Sequence, residues 1–295
     1  MDESLSNWLR LREPADARAR SRPLARAIAT RMPLDVPVCA LDLATGAGSN
    51  IRHLIEQLPG RQRWLAVDQS RELLEDLLER TAAWASVRGY QAQRTPSGCV
   101  IRGHLLDCHI ETRQVDLGTL SDPALFGNRH LVTASALLDL VSDAWLRALA
   151  AHCAATGASA LFTISYNGHS TCDPREPADD LVLELFNRHQ HTDKQLGGAA
   201  AGPDAANRAE WYLTDAGFEV RRDRSDWTLA PAERDMQRFL INGWALAASE
   251  IEPRQASTVA EWRRRRLAHL DAGHSTIVVG HDDIAAWPGG AHGPT

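Results

Sequence analysis

Val-Pro-Val-Cys-Ala-Leu-Asp-Leu-Ala-Thr-Gly-Ala-Gly-Ser-Asn, residues 36–50, is the stretch on which the fold turns. Its first eight residues, Val36 to Leu43, are nearly all apolar, as a parallel strand buried on both faces requires, and Pro37 stands near the start where a strand tolerates it. Two glycines, Gly46 and Gly48, then permit a tight turn and a close backbone approach at a helix N-terminus. Ile51, Leu54, Ile55 and Leu58 follow at the spacing of one helical face, and Gly60 stands where the helix would stop. The reading is strand, glycine turn, amphipathic helix.

Moving outward, the alternation continues. A second strand, Trp64 to Val67, ends in Asp68, and Ser70 is placed to cap a helix carrying Leu73, Leu74, Leu77 and Leu78. Between Gly89 and Leu117 there are two candidates, Cys99 to Leu106 and Thr112 to Leu117, and the second is taken as the third parallel strand. Leu131 to Ala134 and Ala160 to Ser165 supply the fourth and fifth, Phe218 to Val220 the sixth, and Ser275 to Gly280 the last. Helices are expected from Ser142 to Gly157, around 179–190, over about 204–216 and, with a break at Pro253, over 231–271. The expectation is an α/β fold: a doubly wound, Rossmann-like, mainly parallel seven-stranded sheet with helices on both faces and added N- and C-terminal helices. Residues 1–34 form a helical lid segment, 35–287 one domain with a helical insertion at about 231–271, and 288–295 a frayed Gly- and Pro-rich tail.

With 295 residues, 44% hydrophobic and 24% charged, the chain can bury a sizeable core. A net charge of −6 gives no general basic field for a phosphate backbone, so nucleic acid is not the expected partner. No secretory signal or membrane span is read: 134–155, the most apolar stretch, is broken by Asp139, Asp143, Arg147 and His152. The cytoplasm is expected. Cys39, Cys99, Cys108, Cys153 and Cys172 are scattered and odd in number, which points to reduced packing residues, with no disulfide framework and no metal site.

An open parallel sheet binds its ligand beyond the C-terminal ends of its strands. Asp68 lies 20 residues beyond Gly48, the spacing at which a carboxylate can take both hydroxyls of a ribose. A dinucleotide turn would want a third glycine where Ile51 stands, and Asp42 lies inside the strand just ahead of the turn. Both features favour S-adenosylmethionine over a nicotinamide.

Leu-Asp-Leu-Ala-Thr-Gly-Ala-Gly-Ser-Asn (41–50) resembles motif I of class I S-adenosylmethionine-dependent methyltransferases, with Ala44 at the first glycine position as a departure. The resemblance implies that Asp42 holds the methionine amino group, Gly46 and Gly48 lie under the cofactor, Asp68 takes the ribose and Asp116 the adenine amino group. Asp107 stands as the alternative third-strand carboxylate. The cofactor set is completed by Ala44, Thr45, Asn50, Gln69, Leu117 and Ser135. The segments 8–16, 133–142 and 186–194 are similar to a group of bacterial methyltransferases, some encoded near 6-pyruvoyl-tetrahydropterin synthase-like enzymes.

Methyl transfer from a sulfonium is an in-line displacement, so alignment and water exclusion matter most, and a base helps where the acceptor carries a proton. Asp139, after the fourth strand, is read either as that base or as a backbone cap; His189 and His191 are further candidate bases. Tyr166, Asn167, Asn187, Arg188 and Lys194 are candidate substrate contacts, weighed against a solvated helix end. Arg10, Arg12, Arg18 and Arg20 either supply a lid arginine for the methionine carboxylate or form a charged surface helix, and Arg263 to Arg266 read as a solvated face. The expected function is methyl transfer to an O or N atom of a small polar metabolite; the alternatives are a cofactor-binding or regulatory protein of the same fold without turnover and, behind it, a nicotinamide-dependent oxidoreductase. The oligomeric state is left open.

Overall fold

The computed structural model describes residues 3–289, with side chains from Leu5 onward. Residues 290–295 of the expected tail lie outside the described residues. Two helices, α1 (Glu3–Ala19) and α2 (Arg22–Ala29), precede β1 (Val38–Leu43). Then come α3 (Ser49–Ile55), β2 (Arg61–Asp68), α4 (Arg71–Val87), a hairpin of β3 (Gln91–Thr95) and β4 (Gly98–Arg102), and β5 (Asp107–Gln114). The chain continues through β6 (Leu131–Ser135), α5 (Asp143–Thr156), β7 (Ser159–Asp173), α6 (Asp179–Gln190), α7 (Ala205–Asp215), β8 (Phe218–Arg224) and β9 (Trp227–Leu229). It closes with α8 (Arg234–Ile251), α9 (Ala256–Asp271) and β10 (Thr276–Pro288).

The sheet is ordered β3-β4-β5-β2-β1-β6-β7-β10-β8, with β9 beside β10. Strands β5, β2, β1, β6 and β7 run parallel, and the order reverses direction between β1 and β6. That reversal is the crevice where open α/β sheets bind ligands. In β1, Val38 and Ala40 face a core shared with α2, α3 and α4, whereas Leu41 and Leu43 face one shared with α5 and α7. Both faces of the strand are therefore dry, which explains its unbroken apolar run.

The expected doubly wound architecture is present, with ten strands among the described residues rather than seven. The additional strands are β3, β4 and β9. Every residue of β3 is exposed and its sequence is polar, so it carries no hydrophobic period, and β9 has three residues. The third parallel strand lies earlier than Thr112 to Leu117, because pairing with β2 runs from Arg61↔Asp107 to Asp68↔Gln114 and buries Cys108 and Ile110. The last strand runs well past Gly280, and Pro288 belongs to it rather than to a frayed tail. Its acids look like a strand end in sequence, yet both are buried and paired: Asp283 accepts the N–H groups of Ser21 and Ile164, both at 2.7 Å, and Asp282 accepts from Arg222 at 2.6 Å.

The far halves of β7 and β10 extend beyond the parallel strands and carry a third core with α6, α8 and α9. Arg266, at the end of the arginine run, is fully buried there and not on a solvated face. It pairs through two nitrogens with the Asp179 carboxylate, which also accepts from Trp262 Nε1 at 2.7 Å. Among the described residues no helix is long and apolar enough to cross a membrane.

Candidate active site

At the fork between β1 and β6 lies a cavity of about 240 Å³. Its floor comes from the turn after β1. Gly48 has φ +79°, and a Cβ there would sit 2.6 Å from Leu77 Cγ, so only glycine lets α3 close on α4. Ala44 and Ala136, at the ends of β1 and β6, also hold positive φ (48° and 53°), as does the β-branched Ile164 (57°) in β7. L-residues with side chains occupy this region at a cost of about 1–3 kcal/mol each, and two of these three, Ala44 and Ala136, line the cavity.

Three carboxylates follow from the strand ends. Asp42 is fully buried and accepts from Thr45 Oγ1 at 2.5 Å and from Asn50 Nδ2 at 2.8 Å. Burial pushes its pKa up to about 6 against the opposing pull of those hydrogen bonds. Asn50 gives its amide nitrogen to Asp42 and Thr133, leaving its buried Oδ1 with no partner. Asp68 accepts the N–H groups of Gly46 (2.8 Å) and Ser70 (2.9 Å), while burial raises its pKa. The third, Asp139, sits in a single 3-10 turn after β6, between Leu137 and Leu140, which line the cavity. It accepts the N–H groups of Tyr166 and of its own residue, and burial lifts its pKa to about 6. Its Oδ1 is buried without a partner, and Asp139, unlike Asp42 and Asp68, is not itself on the cavity wall.

Of the residues expected at the cofactor, Asp42, Ala44, Thr45, Gly46, Asn50, Asp68, Gln69, Leu117 and Ser135 all line this cavity. Gly48 is not among them; it ends the turn as the residue that caps α3. Asp116 is exposed and caps its own turn by accepting from Gly118 N–H at 2.8 Å. The alternative, Asp107, begins β5 and therefore stands at the opposite end of the sheet.

The candidate substrate and base residues are scattered by comparison. Tyr166 is buried and donates to Asn187 Oδ1 at 2.8 Å, and Asn187 in turn donates to Gly168 O. Asn167 accepts from His169 N–H. His189 lies 3.2 Å from Glu250 and 3.3 Å from Lys194 Nζ, while Arg188 and His191 are exposed. Lys194, its pKa lowered by burial, falls within electrostatic reach of Asp139.

Sequence reasoning expected a lid in residues 1–34 with an arginine over the cofactor, but not the apolar residues of its inner face. Leu5, Leu9, Arg12 and Glu13 of α1 line the cavity with Leu137, Leu140 and Leu196. The helix is latched by Glu13, which accepts from Arg52 (2.9 and 2.7 Å) and Arg80 (2.7 Å). Trp8 of α1 stacks on Phe239 at 4.5 Å between ring centroids. Of the four N-terminal arginines, Arg12 borders the cavity and Arg20 is buried, while Arg10 and Arg18 are exposed. Leu5, Leu9 and Arg12 follow a spacing of four and three, a helical-face signal that could have identified this roof.

No protein-family model matches the sequence, and no curated protein matches it. Solved structures do show similarity. The cyclopropane synthase MmaA2 from Mycobacterium tuberculosis is 11% identical, with 97% of this chain and 94% of that chain covered and a TM-score of 0.46. The YcgJ protein from Bacillus subtilis is 12% identical over 90% and 98%, also at 0.46. A geranyl diphosphate methyltransferase in complex with SAM is 12% identical over 90% and 84%, at 0.41. Likeness at this level leaves this chain's own site residues to carry its function.

Proposed function

We propose that the chain is an S-adenosylmethionine-dependent methyltransferase acting on an O or N atom of a small polar metabolite. One observation carries the reading: Asp68, at the end of β2, and the unpartnered Oδ1 of Asn50 converge on one cavity at the fork of the sheet. A carboxylate at the second strand end suits ribose hydroxyls, and a lone buried carbonyl oxygen suits an ammonium group. A purine has apolar walls in Leu73 and Leu117, and Arg12 is the lid arginine placed for a carboxylate. The antiparallel β10 between β7 and β8 also departs from the all-parallel order of dinucleotide folds.

When bound, S-adenosylmethionine supplies a methyl group activated by the sulfonium. The chain's residues align the acceptor and exclude water, with Leu5 and Leu9 of α1 closing the roof and Leu137, Leu140 and Leu196 making an apolar wall. Asp139 is the proposed base. Its free Oδ1 and its pKa near 6 suit removal of a proton from a hydroxyl or an ammonium at neutral pH. His189 and His191 remain secondary candidates, with Tyr166, Asn167, Asn187, Arg188 and Lys194 proposed to shape the approach to Asp139.

Parallel calorimetric titrations with S-adenosylmethionine, S-adenosylhomocysteine and NAD test the reading. Micromolar binding of the sulfur nucleosides without NAD binding supports it, and NAD binding alone refutes it. Turnover in an acceptor screen then separates an enzyme from a cofactor-binding regulator.

A further inference from the structure

A second concavity, of about 830 Å³, opens among α1, α2, α3 and α4 and shares only Glu13 and Ser49 with the cavity already described. Its wall carries Arg20, Arg22, Arg26, Arg52, Arg88 and His53, an unusual concentration of positive charge in a chain of net charge −6. Arg52 is matched by Glu13, and Arg88 by Glu56 at 2.7 Å. Arg22 and Arg26 are exposed, with no ion pair among the described residues, and they stand one turn apart on α2.

Two buried nitrogens on this wall have no hydrogen-bond partner. Arg20 is only 3% exposed; its Nε and Nη2 reach Thr163, Ser49 and Ser135, and Nη2 lies 3.8 Å from the buried Asp16 carboxylate, yet Nη1 has no partner. His53 Nε2 is likewise buried without a partner. A buried polar group left unmade is costly, and a guanidinium more so than a neutral donor, so the pair marks a place where an acceptor is missing. Burial and the adjoining Arg20 and Arg22 hold the His53 imidazole near a pKa of 4, so at neutral pH it is an uncharged hydrogen-bonding group.

We propose that this basin binds a small anion carrying adjacent phosphate groups, gripped by Arg22 and Arg26 at the rim and by Arg20 and His53 on the inner wall. Two rim cations a helical turn apart, with a third guanidinium behind them, exceed what one carboxylate would use. A membrane surface or a nucleic-acid backbone would meet Arg22 and Arg26 but leave the buried pair unserved. Inorganic pyrophosphate and the phosphates of a nucleotide share the required chemistry.

The test is calorimetric titration of the full chain with sodium pyrophosphate at low ionic strength, with ATP as a second arm. His53 is followed by NMR of its imidazole. Saturable one-to-one binding is expected, weakened at least about tenfold in Arg22→Gln/Arg26→Gln, whose exposed positions leave folding intact. The His53 pKa should rise when the anion docks, because a nearby negative charge favours the imidazolium. Tighter binding of ATP than of pyrophosphate would identify a nucleotide as the ligand, and equal binding would identify the phosphates alone. Absence of binding at millimolar pyrophosphate would overturn the proposal, as would unchanged affinity in the double variant with an unmoved His53 resonance.

Discussion

The backbone N–H of Gly46 donates to the Asp68 carboxylate at 2.8 Å, tying the turn after β1 to the end of β2 across 22 residues of sequence. The same carboxylate borders the cavity, so one group both shapes the turn and faces the ligand. Asp68→Ala should therefore lower affinity for S-adenosylhomocysteine about ten- to a hundredfold, the range for hydrogen bonds to a charged group. Unchanged affinity in calorimetry would remove Asp68 from the cofactor site.

Asp139 separates chemistry from binding. Asp139→Asn should cut turnover by roughly 10²–10⁴ while cofactor affinity stays within about twofold. A base must be ionised to act, so wild-type turnover should rise with pH through about 6 and then level, and the variant should lose that limb. A pH-rate profile with the limb intact in Asp139→Asn would assign the base elsewhere.

The same group predicts a stability effect. Its folded pKa, near 6, lies above the ordinary carboxyl value of 3.8, so the folded state favours the protonated form. That contribution is fully present below about pH 4 and is lost as pH rises through 6. Asp139→Asn should accordingly melt higher than wild type at pH 7.5, by up to roughly 2–3 kcal/mol, and the difference should shrink toward pH 4.5. Thermal melts at the two pH values check it.

Glu13 latches α1 through Arg52, whose side chain is 4% exposed. Glu13→Ala leaves that guanidinium uncompensated and should destabilise the fold by about 2–4 kcal/mol, less than a fully buried pair because Glu13 itself is a quarter exposed. Hydrogen exchange in α1 should accelerate, and S-adenosylhomocysteine should dissociate faster. Exchange confined to wild-type rates would show that the other contacts of α1, among them the Trp8 stack and the Trp227–Asp16 hydrogen bond, hold the roof without the latch.

Arg266 and Asp179 join α9 to α6 in the third core. Arg266→Ala should cost about 3–5 kcal/mol in denaturant unfolding by stranding a largely buried carboxylate. Arg264→Ala, two residues earlier on the opposite, exposed face of α9, should change stability by less than about 1 kcal/mol.

Much of this molecule is legible along the chain. The run 36–50 predicts a buried strand, a glycine turn and a helix because a parallel strand must be apolar on both faces and a tight turn needs positive φ. The residues flanking that turn, Asp42, Thr45 and Asn50, do meet at the cavity, since they are held within a few residues of one another. The hairpin β3–β4 was not legible as a pair, because β3 is exposed on every residue and an edge strand of that kind has no apolar period to read.

What the sequence by itself determined is the doubly wound parallel core and the placing of ligand-facing residues at its strand ends, because both follow from local periodicity and turn chemistry. The tertiary structure alone decided which residues of the N-terminal lid face the cavity, that Arg266 and Asp283 are buried, and that Asp116 faces outward. A charged residue carries the same letter whether solvent or a partner distant in sequence surrounds it. Only the packing of elements far apart in the chain sets which of the two it meets, and with that its charge state and its use.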